Sequence, residues 1–308
     1  MSIPSDTTWV RRGRQIANLI GLGAALAAIV YLAFRLQGQM AAEAMFLLTQ
    51  HVWSIALLSV AYAAISFIPC LSWALLLGGA DRRTVAEASV LCARTQIFKY
   101  LPGNILHFAA RHTAREELGS HRRIAMATWC DLVLAGGAAA FLALVGGLPE
   151  LTASQAALHI SANEFAVGAA AIGIGVLAGT VLVLRWSGAT REQLPYALLC
   201  WLGYLLFFGL CGLLISLLLS EAGSSAPLFQ CVVIAALAWI FGTIIPGASA
   251  GLGIRELVIV TLATPYAGPA VAGFVALAYR LVTLGGDALL GLTSRLVRQK
   301  IRRGESHG

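Results

Sequence analysis

Long apolar runs separated by short charged punctuation set the pattern of this chain. Such runs cover 16–36, 52–79, 124–147, 164–184, 194–219 and 268–292. Each is close to or longer than the roughly 20 residues that a helix needs to cross a hydrocarbon core, so six spanning helices are predicted. Two further apolar stretches, 84–117 and 227–264, are each interrupted by Pro-Gly, at Pro102-Gly103 and at Pro246-Gly247. Proline removes a backbone donor and glycine permits a turn. Both stretches therefore read as broken helices.

The two breaks share a register. An arginine follows each proline by nine residues, Arg111 after Pro102 and Arg255 after Pro246. The offset between them is 246 − 102 = 144 for Pro, 247 − 103 = 144 for Gly and 255 − 111 = 144 for Arg. The first spans of the two halves start 164 − 16 = 148 apart and the last 268 − 124 = 144 apart. The chain thus reads as one integral membrane domain, 1–308, made of two halves at approximately 10–160 and 161–300. Chance likeness of Ala/Leu/Gly-rich helices is the competing explanation.

Charge gives these helices a direction. Arg11, Arg12, Arg14, Arg82, Arg83, Arg122, Arg123, Arg185, Arg191 and the cluster Arg295 to Arg303 fall on alternate loops. The opposite loops carry Glu43, Glu150, Glu164 and Glu221, with only Arg35 at a helix end. Lys and Arg on short loops mark the cytoplasmic side, so both termini are expected in the cytoplasm of a multi-pass cell-membrane protein. Stretch 84–117 then enters from the cytoplasm and returns, and 227–264 dips in from outside. The expected fold class is an all-α polytopic membrane protein of two inverted-topology halves, each of three transmembrane helices plus a Pro-Gly-broken re-entrant hairpin. In a competing layout 227–245 and 248–264 both cross, with the C-terminus on the same side.

Composition removes whole classes of function. Hydrophobic residues make up 59% and charged residues 11% of the 308, where a soluble domain carries about 25% charge. The net charge of +7 follows from positive-inside loops rather than from nucleic-acid binding. Arg11, Arg12 and Arg14 precede an apolar run too long for a signal-peptide core. The six cysteines lie in or beside apolar runs without metal spacing and read as packing residues. The histidines form no metal-ligand spacing, and Lys99 and Lys300 are the only lysines, so no Walker A motif exists. No metal, cofactor or catalytic constellation is expected.

The chemistry that remains is cationic. The helices beginning near Asn104 and near Leu252 offer unpaired N–H groups to an anion. His107 and Arg111 lie four apart and share a helix face. Arg280 is the deepest cation in a predicted span, where insertion costs about 2.5–3.5 kcal/mol. The competing readings are a solvated Arg111, an Arg255–Glu256 pair snorkelling outward, Arg280 paired structurally with Asp287, and an interfacial Asp131.

Lys99-Tyr100-Leu101-Pro102-Gly103-Asn104 with Arg111 downstream resembles the first signature of the flippase-like transmembrane family. That family provides the membrane domain of lysylphosphatidylglycerol synthase/flippases and of stand-alone relatives. Pro246-Gly247-Ala248-Ser249-Ala250-Gly251-Leu252-Gly253-Ile254-Arg255-Glu256 resembles the second signature, and Arg280 with Asp287 fits the final helix. Ala248-Ser249-Ala250 lengthens the usual turn, and the aminoacyl-transfer domain has no counterpart. The resemblance implies lipid translocation without lipid synthesis.

The expected function is transbilayer translocation of an anionic, phosphate-bearing lipid, either a phospholipid or a polyprenyl-phosphate-linked precursor. The expected headgroup path is Arg111, Arg255, Arg280, Asn104, His107 and Glu256. Pro102, Gly103, Pro246, Gly247, Gly251 and Gly253 supply its helix breaks, and Asp131 and Asp287 its charge partners. The alternative class is an accessory subunit or membrane enzyme of lipid or glycan envelope assembly.

Overall fold

A computed structural model describes residues 39–100, 106–112, 118–153, 171, 174, 175, 178, 194–244 and 251–305. Among these the chain is almost entirely helical and has no strand. In order, the helices are α1 (Gln39–Gln50), α2 (Val52–Ile65), α3 (Phe67–Gly78), α4 (Arg82–Thr95), α5 (Leu106–Arg111), α6 (His121–Ala153), α7 (Leu194–Glu221), α8 (Leu228–Ile244) and α9 (Ile254–Glu305). A 3-10 turn, Gln96–Tyr100, follows α4. Four segments are long and apolar enough to cross a membrane: Val52–Gly78, His121–Gly146, Pro195–Glu221 and Ile254–Leu296. The expected span 16–36 and nearly all of 164–184 lie outside the described residues.

Three of the segments match the expected runs to within a few residues, whereas Ile254–Leu296 begins 268 − 254 = 14 residues before the expected run 268–292; two local differences stand beside this. The expected run 52–79 is two helices that meet at Ser66. Pro69 is the cause, because its ring has no N–H and crowds the carbonyl four residues back, that of Ile65. The acidic stretch around Glu43, read as a loop, is helix α1. In α9, Gly268 adopts φ 74, ψ 166 between Pro265 and Pro269. Only glycine holds that conformation without strain. Pro269 then starts the next helical segment, a position where its missing N–H costs nothing. Asp81 caps α4 by accepting from the Arg83 N–H and the Thr84 hydroxyl. That hydroxyl, before the backbone N–H groups of Arg83 and Thr84, holds the Asp81 carboxyl below the usual carboxylate range.

Packing follows from small residues at the helix crossings. A Cβ on Gly286 of α9 would stand 2.7 Å from Tyr62 Cδ1 and 2.8 Å from the Ser59 carbonyl of α2. A Cβ on Gly212 of α7 would stand 2.5 Å from Val232 Cα of α8. Backbones approach this closely only where a side chain is absent. Gly212→Leu is therefore expected to force α7 and α8 apart and to lower the melting temperature of detergent-purified protein by many degrees. Gly209→Ala, which meets nothing within 4 Å, should leave it unchanged or raise it by about 1–3 °C. The outer surface is apolar: Trp53, Leu57, Trp129, Leu206 and Leu296 are all exposed. Such a surface suits lipid and is a liability in water.

Helix α7 runs antiparallel to α2–α3. The Cys200 thiol donates to the Ser72 carbonyl (3.3 Å) near one end, and His51 Nδ1 meets Glu221 Oε2 (2.8 Å) at the other. Shifted by 144, Val52–Gly78 becomes 52 + 144 = 196 to 78 + 144 = 222, the region of Pro195–Glu221.

Candidate functional site

Helices from both parts of the chain line a partly open cavity of about 110 Å³. Tyr62, Ser66 and Pro69 line it at the α2–α3 junction, and Gln96 and Lys99 from the 3-10 turn. Helix α5 adds His107, Phe108 and Arg111, α6 adds Asp131, α7 adds Tyr204 and Phe207, and α8 adds Trp239 and Thr243. Arg255, at the start of α9, completes the wall. The break between α2 and α3 thus serves the cavity, since Ser66 and Pro69 both face it.

Arg111 is 4% exposed, buried rather than solvated. Its Nη2 donates to Cys92 Sγ (3.2 Å), its Nη1 lies 3.7 Å from Asp131 Oδ2, and its guanidinium stacks 4.6 Å above the Trp73 ring. Aromatic faces and a carboxylate together lower the cost of a cation removed from water. Asp131, 5% exposed, also accepts from the Tyr204 hydroxyl. It is buried among the helices. His107 is buried beside Phe108, and its Nδ1 has no hydrogen-bond partner.

A second charged layer lies behind the first. Asp287 is fully buried, and its Oδ2 takes both the Lys99 ammonium (2.6 Å) and the Tyr100 hydroxyl (2.7 Å). Arg280 pairs through Nε with Glu256 Oε1 at 3.5 Å and stacks 5.1 Å above the Tyr100 ring. The other Glu256 oxygen accepts the Gly253 N–H at 2.6 Å. This is the reach-back half of a capping box, in which a side chain in the first turn satisfies a donor ahead of it. Gly251 (φ 71) and Gly253 (φ 81) lead into that turn in the left-handed region.

Of the sequence-predicted residues, Arg111, His107, Arg255 and Asp131 face the cavity. Arg280, Glu256 and Asp287 stand behind it. Pro102, Gly103, Asn104, Pro246 and Gly247 lie outside the described residues. Lys99, Tyr100, Tyr204, Trp73 and Cys92 were not singled out from the residues alone. Lys99 carried a legible signal, being one of two lysines in the chain and lying beside an apolar run. The aromatic residues and the cysteine carried none, because inside an apolar run they look like packing.

Among the described residues no three His, Cys, Asp or Glu side chains are grouped to hold a metal. Lys99, Arg111 and Arg255 on the cavity wall face one carboxylate, Asp131. That composition suits an anion. The chain matches no family model, no curated protein and no solved structure.

Proposed function

We propose that this chain translocates an anionic, phosphate-bearing lipid or lipid-linked precursor between the leaflets of the cell membrane. The observation that carries the reading is the cavity wall of Lys99, Arg111 and Arg255 against the single carboxylate of Asp131, set among apolar helices. Charges at that depth are costly, and they mark substrate paths. Arginine also presents a planar fork that matches phosphate oxygens. The likeness of Lys99–Asn104 and of Pro246–Glu256 to the flippase-like transmembrane signatures points the same way. An enzyme of envelope assembly would need an acid–base or nucleophile set with a recognised spacing, and this chain offers none.

The proposed scaffold is an inverted repeat. Its support is the constant offset of 144, together with the antiparallel run of α7 against α2–α3, which that offset makes equivalent. The segment 254–267 is 267 − 254 + 1 = 14 residues before the break at Gly268, or about 21 Å of helix. That is short of the ~30 Å hydrocarbon core, as a re-entrant limb requires.

Reconstitution tests the function directly: vesicles containing the purified protein should equilibrate a labelled anionic phospholipid between leaflets faster than protein-free vesicles. Cysteine labelling tests the orientation. In a cysteine-free background, Ser154→Cys should react with an impermeant maleimide from outside intact cells, and Ser187→Cys only after lysis. External labelling at 187 would reverse the assignment.

A further inference from the structure

Seven charged side chains meet on the cavity wall or directly behind it: Lys99, Arg111, Arg255, Arg280, Asp131, Glu256 and Asp287. The acids are matched one to one. Asp287 holds Lys99, Asp131 holds Arg111 and Glu256 holds Arg280. Among the described residues Arg255 is the cation of this group left without a carboxylate, and its Nε is buried with no acceptor. Four positive charges against three negative leave a residual of +1.

The fold builds a seat for that residue. A Cβ on Gly242 of α8 would stand 2.5 Å from both Cγ and Nε of Arg255, and one on Gly251 would stand 3.0 Å from its Cγ. Two glycines therefore admit the arginine stem between α8 and the start of α9. Arg255 is held against the cavity it lines. Arg255 is half-buried, but its Nε is buried with no acceptor, and a bound anion would offset the cost of that unpaired donor.

We infer that the cavity accepts one negative charge at a time, carried by a phosphodiester bound through Arg255, and rejects phosphomonoesters and diphosphates. The inference deepens the proposed function and rests on it for the lipid source of the phosphodiester. A phosphodiester carries one charge and two free oxygens, which an arginine fork can take together. A phosphomonoester carries about −1.5 to −2 at neutral pH. Its extra charge would meet the Asp131 carboxylate on the same wall. To neutralise it, the ligand would have to draw Lys99 from Asp287 or Arg111 from Asp131, leaving a buried acid uncompensated.

The test measures binding separately from transport. Purified protein in detergent is titrated with short-chain phosphatidylmethanol, phosphatidic acid, diacylglycerol and water-soluble glycerophosphoglycerol, followed by tryptophan fluorescence, with Trp239 on the cavity wall as reporter. Phosphatidylmethanol differs from phosphatidic acid by one methyl ester, hence by the second charge. Wild-type protein should bind it at least about tenfold more tightly than phosphatidic acid, and should not bind diacylglycerol. Arg255→Ala should weaken phosphatidylmethanol about 10- to 100-fold, the range for hydrogen bonds to charged groups, and Arg255→Lys should recover part of that. Asp131→Asn raises the residual charge to +2 and should shift the preference toward phosphatidic acid by about tenfold or more. Equal or tighter binding of phosphatidic acid to wild type, or an unchanged affinity in Arg255→Ala, overturns the inference. Glycerophosphoglycerol binding as tightly as the lipid overturns the lipid source and keeps the single-charge site. Selective phosphatidylmethanol binding without translocation in vesicles keeps the inference and overturns the transport reading. Translocation indifferent to headgroup charge does the reverse.

Discussion

Asp287→Ala is expected to destabilise the folded protein by roughly 3–5 kcal/mol, the cost of removing one partner from a buried ion pair. Asp287 has no exposed side-chain surface, and one of its oxygens receives both the Lys99 ammonium and the Tyr100 hydroxyl. Truncation leaves a cation and a hydroxyl facing each other in an apolar interior. The Tyr100 ring also supports Arg280, so the loss spreads to the Glu256 pair and to the turn that carries Arg255. Asp287→Asn keeps an acceptor for Tyr100 and should cost less. Lys99→Met combined with Asp287→Ala removes both charges and should recover much of the stability, because a pair deleted whole leaves nothing uncompensated. Thermal unfolding of the detergent-purified variants checks this. An Asp287→Ala protein that melts with the wild type would show the pair to be unimportant to the fold.

Arg255→Ala and Arg280→Ala are expected to fail in different ways. Arg255 has no carboxylate partner among the described residues, so its removal strips the cavity of its residual charge without orphaning an acid. Translocation should fall about 10- to 100-fold, as for a lost charge-assisted contact, while the melting temperature stays close to wild type. Arg255→Lys should recover only part of the rate, because lysine lacks the planar fork. Arg280 neutralises Glu256, which in turn caps the start of α9. Its alanine variant should lose both transport and stability. Arg280→Ala combined with Glu256→Gln should regain stability more than transport, since it removes the orphaned charge but not the altered seat of Arg255. Vesicle translocation and unfolding, measured on the same preparations, separate the two residues. Full transport by Arg255→Ala would place the headgroup path elsewhere.

The spans 52–79, 124–147 and 194–219 were legible because continuous apolar length dominates every local preference in a membrane chain. The observed segments Val52–Gly78, His121–Gly146 and Pro195–Glu221 differ from them by a few residues at most. The run from 268 was legible as apolar length, while the break at Gly268 between Pro265 and Pro269 emerged only from the structure. Helix α1 was not, because Gln39, Glu43 and Gln50 dilute its apolar residues below the spanning pattern. The bend at Ser66 was missed because a proline inside a long apolar run does not by itself announce a break. For the site, the arginines and acids were legible as charges where charge is costly. Their pairing was not, because it joins residues far apart in sequence. Spacing suggested Asp287 as a partner for Arg280, seven residues away on the same helix. The structure instead gives Asp287 to Lys99, which is 287 − 99 = 188 residues away, and Glu256 to Arg280. Such distant pairing is also what isolates Arg255, so the charge surplus that carries the functional reading could be counted only once the helices were placed.

The most direct test of the account places an acyl-labelled, bleachable phosphatidylglycerol in both leaflets of sealed vesicles, with and without the protein, and adds an impermeant reductant. The account predicts that protein-free vesicles keep their inner-leaflet label, that wild-type vesicles lose it, and that Arg255→Ala vesicles of equal protein content keep it. Wild-type vesicles that protect the label as well as empty ones would contradict lipid translocation by this chain.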